Sequence, residues 1–428
     1  MRIAIDISAL QSGHRMRGIG FTIINLINNI DRDYKNTYIF FLAEAEAENA
    51  LSLLNLDGLG YEVRHIQSPS GPIAPNGRVT IIRLKRLISS SLRQSKELKD
   101  RYLGSKVYGD MSDIDVFIQP DQQQKLPRGK VKTVMVLYDI IPYVLEWDYL
   151  WSYKTARLRG LPILSSFRCL ARRWIYLKKL AVGTRKADLA IAISEATKRD
   201  FVRIVGLTTE KIQVVPLGVS RNKVESEKLN LQRYHKTSWG YMPRKYKLDE
   251  STPYILYVGG ADHRRRLDDL VAAFNGLRAE GININLILTG DIMQGPDHIP
   301  TPEINRSMNT SSYLEDMIFL GFVPDDVKNL LYQKALVFVY PSKYEGFGLP
   351  VLEAMSHGTP VITYQNSSIP EVGGNAVIYA NNYQDIAKNI SRLLASKELR
   401  KKYSDAGLAQ SEKFSWAKTS QQILDLIA

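Results

Sequence analysis

A strand, a glycine-bearing loop, a helix and a second strand follow one another between residues 336 and 364, and no other stretch narrows the fold as much. Leu336 to Tyr340 is apolar throughout, with the length of a buried strand. The chain then passes through Glu345-Gly346-Phe347-Gly348-Leu349 into a short helix with Pro350 at its first position, where a missing N–H costs nothing. Gly358 stands where a left-handed helix stop is expected, and Val361 to Tyr364 reads as the next strand. Together these make a βαβ unit of an α/β fold. Its loop lies at the carboxyl end of the first strand, where open α/β sheets bind ligands.

Two carboxylates mark the unit: Glu345 just before Gly346, and Glu353 eight residues on, expected in the first helical turn. Loop N–H groups and a helix N-terminus attract phosphate. A carboxylate one turn in can accept two hydrogen bonds from a diol such as ribose, and one on the loop can hold a sugar hydroxyl. Each residue also has a plain reading. Glu353 complements the helix dipole, and Glu345 is a solvated loop charge.

The stretch from Glu345 through Glu353 to Ile369-Pro370-Glu371-Val372 resembles the E-x7-E motif of the family 4 retaining glycosyltransferases, with a lean towards bacterial O-antigen and capsule enzymes. The resemblance spans nearly the whole chain, strongest from Pro253 to Ile378 and weakest over 45–110 and 221–251. It implies a GT-B fold, in which two Rossmann-like domains face a cleft and a C-terminal helix crosses back to the first. It implies a metal-independent transfer of a hexose from a nucleotide-diphosphate sugar, with retention of configuration. GDP-mannose is the expected donor, a glycan or lipid-linked glycan the expected acceptor, and no cofactor is expected. On this resemblance Glu345 grips the donor sugar and Glu353 the ribose, beside Gly346, Phe347, Gly348 and Leu349.

A chain of 428 residues is too long for one core. The expected division is an acceptor domain over 1–220, a linker over 221–252, a nucleotide-sugar domain over 253–410 and a returning helix over 411–428. Hydrophobic content of 44% and charged content of 24% are those of an ordinary globular protein. The longest apolar runs are far short of the roughly 20 residues of a membrane span. The first residues alternate like a strand and lack the apolar core of a signal peptide. The single cysteine, Cys169, excludes an intrachain disulfide, fits a reducing cytosol and reads as a core filler. The expected location is the cytoplasm, including the cytoplasmic face of the inner membrane.

The formal charge of +13 favours nucleic acids, anionic membranes or phosphorylated substrates as partners. No nucleic-acid motif accompanies it, so no nucleic acid is expected. Two basic helical segments, 81–102 and 165–181, are the candidates for contact with an anionic membrane. In the second, Phe167, Leu170, Trp174, Leu177 and Ala181 share one face, with Arg168, Arg172, Arg173, Lys178 and Lys179 on others. That face either packs on a core or meets lipid headgroups or a lipid-linked acceptor.

From the N-terminus, Arg2 to Ile7 is a strand, followed by a loop with Arg17-Gly18-Ile19-Gly20 and a helix from Phe21 to Ile30. Arg17, Gly18 and Gly20 resemble the family's glycine loop near the donor phosphates and the acceptor; the plain reading is a tight turn feeding a helix. Strands follow at Tyr38–Leu42, Tyr61–Ile66, Val116–Gln119 and Thr133–Leu137, the last running into Tyr138-Asp139-Ile140-Ile141-Pro142. The family motif here usually carries a histidine where this chain has Tyr138, so no role needing an imidazole carries over. Asp139 either positions an acceptor hydroxyl or forms a turn.

Ala187 to Ser194 is a strand, Ser194 caps a following helix, and Val214 to Val219 resembles the turn closing the first domain. Pro253 to Val258 opens the second domain and ends in Gly259-Gly260. Next come Arg264-Arg265-Arg266 and a helix from Leu267 to Leu277. Arginines placed so suit a diphosphate. Arg264 matches the arginine of the family's Arg-Lys pair, and Arg265 replaces its lysine. Asn285–Leu288 ends in Thr289-Gly290, and Met317–Leu320 in Gly321-Phe322-Val323. The resemblance places Gly290 and the Val323 backbone at the nucleotide. Asn309 to Ser312 and the proline-containing stretch before it read as a loop.

Two other functions share this plan: a sugar-nucleotide-binding subunit without turnover, favoured by Tyr138, and a nucleotide-sugar epimerase or phosphorylase. No paired-histidine metal motif occurs among the six histidines.

Overall fold

The computed structural model describes residues 1–12, 18–32, 36–66, 108–150, 152–158, 160–219 and 252–428. Arg17, the segment 81–102 and the linker up to residue 251 lie outside the described residues.

Among the described residues, thirteen strands form two sheets. In the first, β1 (Arg2–Asp6), β2 (Thr37–Leu42), β3 (Tyr61–His65), β4 (Val116–Gln119), β5 (Lys132–Leu137), β6 (Leu189–Ala192) and β7 (Ile212–Val214) take the order β3-β2-β1-β4-β5-β6-β7. In the second, β8 (Tyr254–Val258), β9 (Asn285–Thr289), β10 (Met317–Gly321), β11 (Val337–Tyr340), β12 (Val361–Tyr364) and β13 (Ile378–Ala380) take the order β10-β9-β8-β11-β12-β13. Every pairing is parallel. Parallel strands are covered on both faces, so they need unbroken apolar runs. Tyr38-Ile39-Phe40-Phe41-Leu42 and Val337-Phe338-Val339-Tyr340 are such runs, fully buried.

The helices among the described residues are α1 (Gly18–Asn28), α2 (Ala47–Leu51), α3 (Ile141–Val144), α4 (Tyr153–Leu158), α5 (Ile163–Lys186) and α6 (Glu195–Asp200) beside the first sheet. Beside the second are α7 (Leu267–Ala279), α8 (Pro302–Asn309), α9 (Asp325–Lys334), α10 (Leu349–Ser356), α11 (Ile369–Gly373), α12 (Tyr383–Ala395) and α13 (Lys397–Ser411). α14 (Trp416–Ile427) returns to the first domain. It buries Trp416 edge-on against Phe21 of α1, with ring centroids 5.8 Å apart, and Ser420 donates to the Leu26 carbonyl at 2.9 Å. The crossing is tight: a Cβ on Gly218 would fall 2.1 Å from the Trp416 nitrogen.

Four details differ from the sequence expectations. Residues 302–309 are a helix, because Pro302 occupies its first turn, where proline is tolerated. α1 starts at Gly18, so Gly18 and Gly20 lie in its first turn rather than in a loop. The helix after the glycine loop starts at Leu349, one residue before Pro350, which puts Glu353 in the second turn. The fourth concerns α5, where Phe167 and Trp174 are 53% and 58% exposed, so the front of the stripe does not pack on a core. Cys169 is half-buried there.

Candidate functional site

Each sheet reverses its strand order once, between β1 and β4 in the first and between β8 and β11 in the second. The loops leaving these strand ends diverge to opposite faces, and the gap between them is where an open α/β sheet takes a ligand. In the second sheet those loops carry Gly259 to Arg266 and Pro341 to Gly348.

Arg264 and Arg265 converge on Glu345. Both donate from Nη1 to its Oε1, Arg265 at 2.8 Å, and the Ser342 hydroxyl donates to the same oxygen at 2.6 Å. Glu345 is only 6% exposed, so it is not a solvated loop charge. Burial works against the Arg264 charge, but the neighbouring carboxylates, Glu345 first, outweigh it and hold the guanidinium well above its ordinary pKa. Arg265 lies over the Tyr340 ring at 4.9 Å, and its Nε is a buried donor without a partner. Arg266 turns away. Its backbone is left-handed, with φ of 47°, and it pairs with Asp269 at 2.7 Å. Two of the three arginines therefore meet at Glu345.

The glycine loop is braced from below. The Glu345 N–H donates to the Ser367 hydroxyl at 2.9 Å, and Ser368 donates to the carbonyls of Glu345 and Phe347 at 3.0 and 2.8 Å. Ser367 is left-handed, with φ of 46°, a costly conformation for a residue with a side chain. Gly348, at φ of 107°, turns the chain into α10. Phe347 is buried against Phe414, and Leu349 begins the helix. Glu353 is held by Lys328 at 3.3 Å and by the Tyr332 hydroxyl at 3.1 Å, so helix-dipole pairing alone does not describe it. Gly259 and Gly290 abut at the ends of β8 and β9, where a Cβ on Gly290 would sit 2.2 Å from the Gly259 carbonyl. Gly260 follows, and Val323 is buried just past β10.

Across the cleft, β5 ends at Leu137 and the chain continues into Tyr138 and Asp139. Gln122 clamps both, accepting from the Tyr138 N–H at 2.8 Å and donating to the Asp139 carbonyl at 2.7 Å. The Tyr138 hydroxyl is buried facing the Thr22 side chain, and burial raises its pKa against that contact. Asp139 accepts from the Ile141 N–H at 3.1 Å, a turn-forming bond. Burial raises its pKa, opposed by Arg264. Asp139 also touches the other domain, for a Cβ on Gly346 would come within 2.9 Å of the Asp139 Cβ. Gly20 is buried and Gly18 exposed on α1.

Several contributors were not among the site residues expected from the sequence. Tyr149 faces Arg264 and Asp262, and burial pushes its hydroxyl up to about 12. Ser194 of the first domain donates to the Gly346 carbonyl at 2.6 Å, and Tyr344 donates to Asp200 at 2.6 Å. Glu371 accepts from the N–H groups of Glu195 and Ala196 at 2.7 and 2.8 Å. Ser194 also caps α6, accepting from the Thr197 N–H as expected.

Away from the cleft, α5 exposes Ile163, Leu164, Phe167, Leu170 and Trp174, with Leu158 of α4 beside them. Arg168, Arg172 and Lys178 are exposed on the same helix, and Lys178 lies over the Trp174 ring at 4.6 Å. Among the described residues no helix is long and apolar enough to cross a membrane.

Residues 242–410 match the family described as "Glycosyl transferases group 1". The O-antigen chain mannosyltransferase B of Escherichia coli is 29% identical over 254 residues, covering 58% of this chain and 62% of that protein. The serotype-specific mannosyltransferase WbdA of the same organism is 28% identical over 296 residues, covering 69% of this chain and 33% of that one. The chain thus spans less than two thirds of either relative's length. Among solved structures, Anabaena Alr3699/HepE in complex with UDP and glucose aligns with a TM-score of 0.61 at 16% identity, covering 100% of this chain and 98% of that one. That likeness is one of fold, and the fold is GT-B. The resemblance to family 4 glycosyltransferases and to O-antigen mannosyltransferases seen in the sequence therefore stands.

Proposed function

We propose that this chain is a retaining hexosyltransferase that moves mannose from GDP-mannose to a glycan or lipid-linked glycan in bacterial surface-polysaccharide synthesis. The observation that carries the reading is the convergence of Arg264 and Arg265 on Glu345 at the strand-order reversal of the second sheet. The donor's diphosphate lies against the two guanidiniums and the loop N–H groups from Gly346 to Leu349, with Gly259, Gly260 and Gly290 allowing close approach. Glu353 takes the ribose, and the backbone near Val323 takes the base. As the bond between the anomeric carbon and the phosphate oxygen breaks, the electron pair passes to the diphosphate. Fixed, largely dehydrated cations stabilise that charge without reorganising. Glu345 then exchanges its arginine partners in part for a sugar hydroxyl. Asp139 orients the attacking acceptor hydroxyl, whose oxygen bonds the anomeric carbon on the face the diphosphate leaves while its proton passes to the departing phosphate oxygen. Tyr138 turns its hydroxyl from Thr22 to a sugar. No metal takes part.

The test is a panel of nucleotide sugars, read by release of the nucleoside diphosphate. GDP-mannose turning over, and Glu345→Ala abolishing turnover, is the expected result. The absence of product with every donor while GDP still binds would favour the second reading, a binding subunit. Tyr138 in the histidine's place supports that reading.

The acceptor side of this proposal is peripheral. The exposed apolar and basic face of α5 meets the anionic cytoplasmic face of the membrane, where aromatic rings sit at headgroup level and cations meet phosphate. Cosedimentation with phosphatidylglycerol vesicles, lost in Phe167→Ser/Trp174→Ser, tests it. Equal binding by the variant would refute the role of α5.

A further inference from the structure

The first turn of a helix leaves N–H groups that need acceptors. In α6 the cap Ser194 serves Thr197, while the N–H groups of Glu195 and Ala196 go to the two oxygens of Glu371 in the other domain. A carboxylate of one domain thus completes a helix start of the other, with Arg199 at 3.7 Å beside it. We infer that Glu371 is a positioning residue, which fixes the Glu345 loop relative to the acceptor domain by gripping α6.

The path from Glu371 to the loop is short and continuous. Glu371 stands on α11, whose N-cap is Ser368. Ser368 and Ser367 hold the Glu345 peptide on both sides, through its carbonyl and its N–H. From the other domain, Ser194 binds the next carbonyl, that of Gly346, and its neighbour Thr197 binds the Tyr138 carbonyl. Glu345, Gly346 and Tyr138 are therefore tied to one helix start, and Glu371 holds that start in place. Tyr344 to Asp200 and Lys343 to Asp148, at 2.6 and 3.6 Å, add grips on the same loop. If α11 and α6 separate, Asp139 and Gly346 part, and the acceptor side no longer faces the arginines. A misplacement of about 1 Å at a reacting centre costs on the order of a hundredfold in rate.

What the loop does once positioned rests on the donor-site reading above; the grip itself does not. The experiment uses the full chain with Glu371→Ala and Glu371→Gln. Small-angle scattering reads the separation of the domains, calorimetry with GDP and UDP reads nucleotide affinity, and initial rates read kcat and KM. The expected result for Glu371→Ala is a larger radius of gyration, nucleotide affinity unchanged within about twofold, and kcat lowered roughly 10- to 100-fold. Glu371→Gln, which keeps one acceptor oxygen, falls between. Unchanged scattering and unchanged kcat would overturn the inference. So would parallel loss of nucleotide binding and of thermal stability, the mark of a purely structural residue. If the wild-type chain turns over no nucleotide sugar, the donor reading fails, and the scattering comparison alone decides the grip.

Discussion

The two sheets share one plan and differ in what stands at their reversal points. Beside β8 and β11 stand fixed charges, Arg264, Arg265 and Glu345, each with a partner. The strands around the other point end in neutral groups and buried acids. Asp6 accepts from Tyr108 and Gln119 at 2.8 and 3.1 Å, Gln122 clamps the backbone, and the Tyr138 hydroxyl faces Thr22. Charge suits a diphosphate, and hydroxyl and amide groups suit a sugar. The same topology therefore gives two unlike half-sites, and the domains meet where Asp139 touches Gly346.

The largest expected effect is on the charged side. Arg264→Ala leaves Glu345 with Arg265 and Ser342 as partners, so the stability loss should stay below the roughly 3–5 kcal/mol of a fully unpaired buried charge. Turnover should fall roughly 100- to 1,000-fold, since a single such electrostatic group supplies factors of that order. Chemical denaturation and diphosphate release check both. Gly346→Ala comes next. Its Cβ forces Asp139 away, and kcat should fall roughly a hundredfold with little change in GDP affinity. Equal losses in kcat and affinity would deny that the contact matters across the cleft.

Tyr138→Phe sharpens the neutral side. The hydroxyl meets the Thr22 side chain, so its removal should cost about 1 kcal/mol of stability. KM for the acceptor should rise about tenfold, as expected when a hydroxyl contact to the sugar is lost. A wild-type KM would remove Tyr138 from the site. The smallest effect on the folded chain belongs to α5. Phe167→Ser/Trp174→Ser changes exposed residues and should alter stability by about 0.5 kcal/mol or less per site, while turnover of a soluble acceptor stays unchanged. A large loss of stability would mean that the face is covered by protein.

The parallel strands were legible because burial on both faces leaves no polar interruption, and β4 and β12 appear with the limits read from sequence. The glycine loop was legible for the same reason, as strand, turn and helix signals adjoin there. Other features were hidden by distance. Ser367 braces Glu345 from 22 residues away, and Glu371 reaches Glu195 across 176, so no local pattern joins them. The α5 stripe was ambiguous for another reason. A helical apolar period looks the same whether the face meets a core or a membrane. Pro302 hid α8 because a first-turn proline and a helix breaker are the same letter.

The measurement closest to the central claim is release of nucleoside diphosphate from GDP-mannose by the wild-type chain and by Arg264→Ala/Arg265→Ala, with an acceptor glycan present. Turnover by the first and none by the second is predicted. Equal turnover by both would contradict the assignment of the second sheet's reversal point as the donor site.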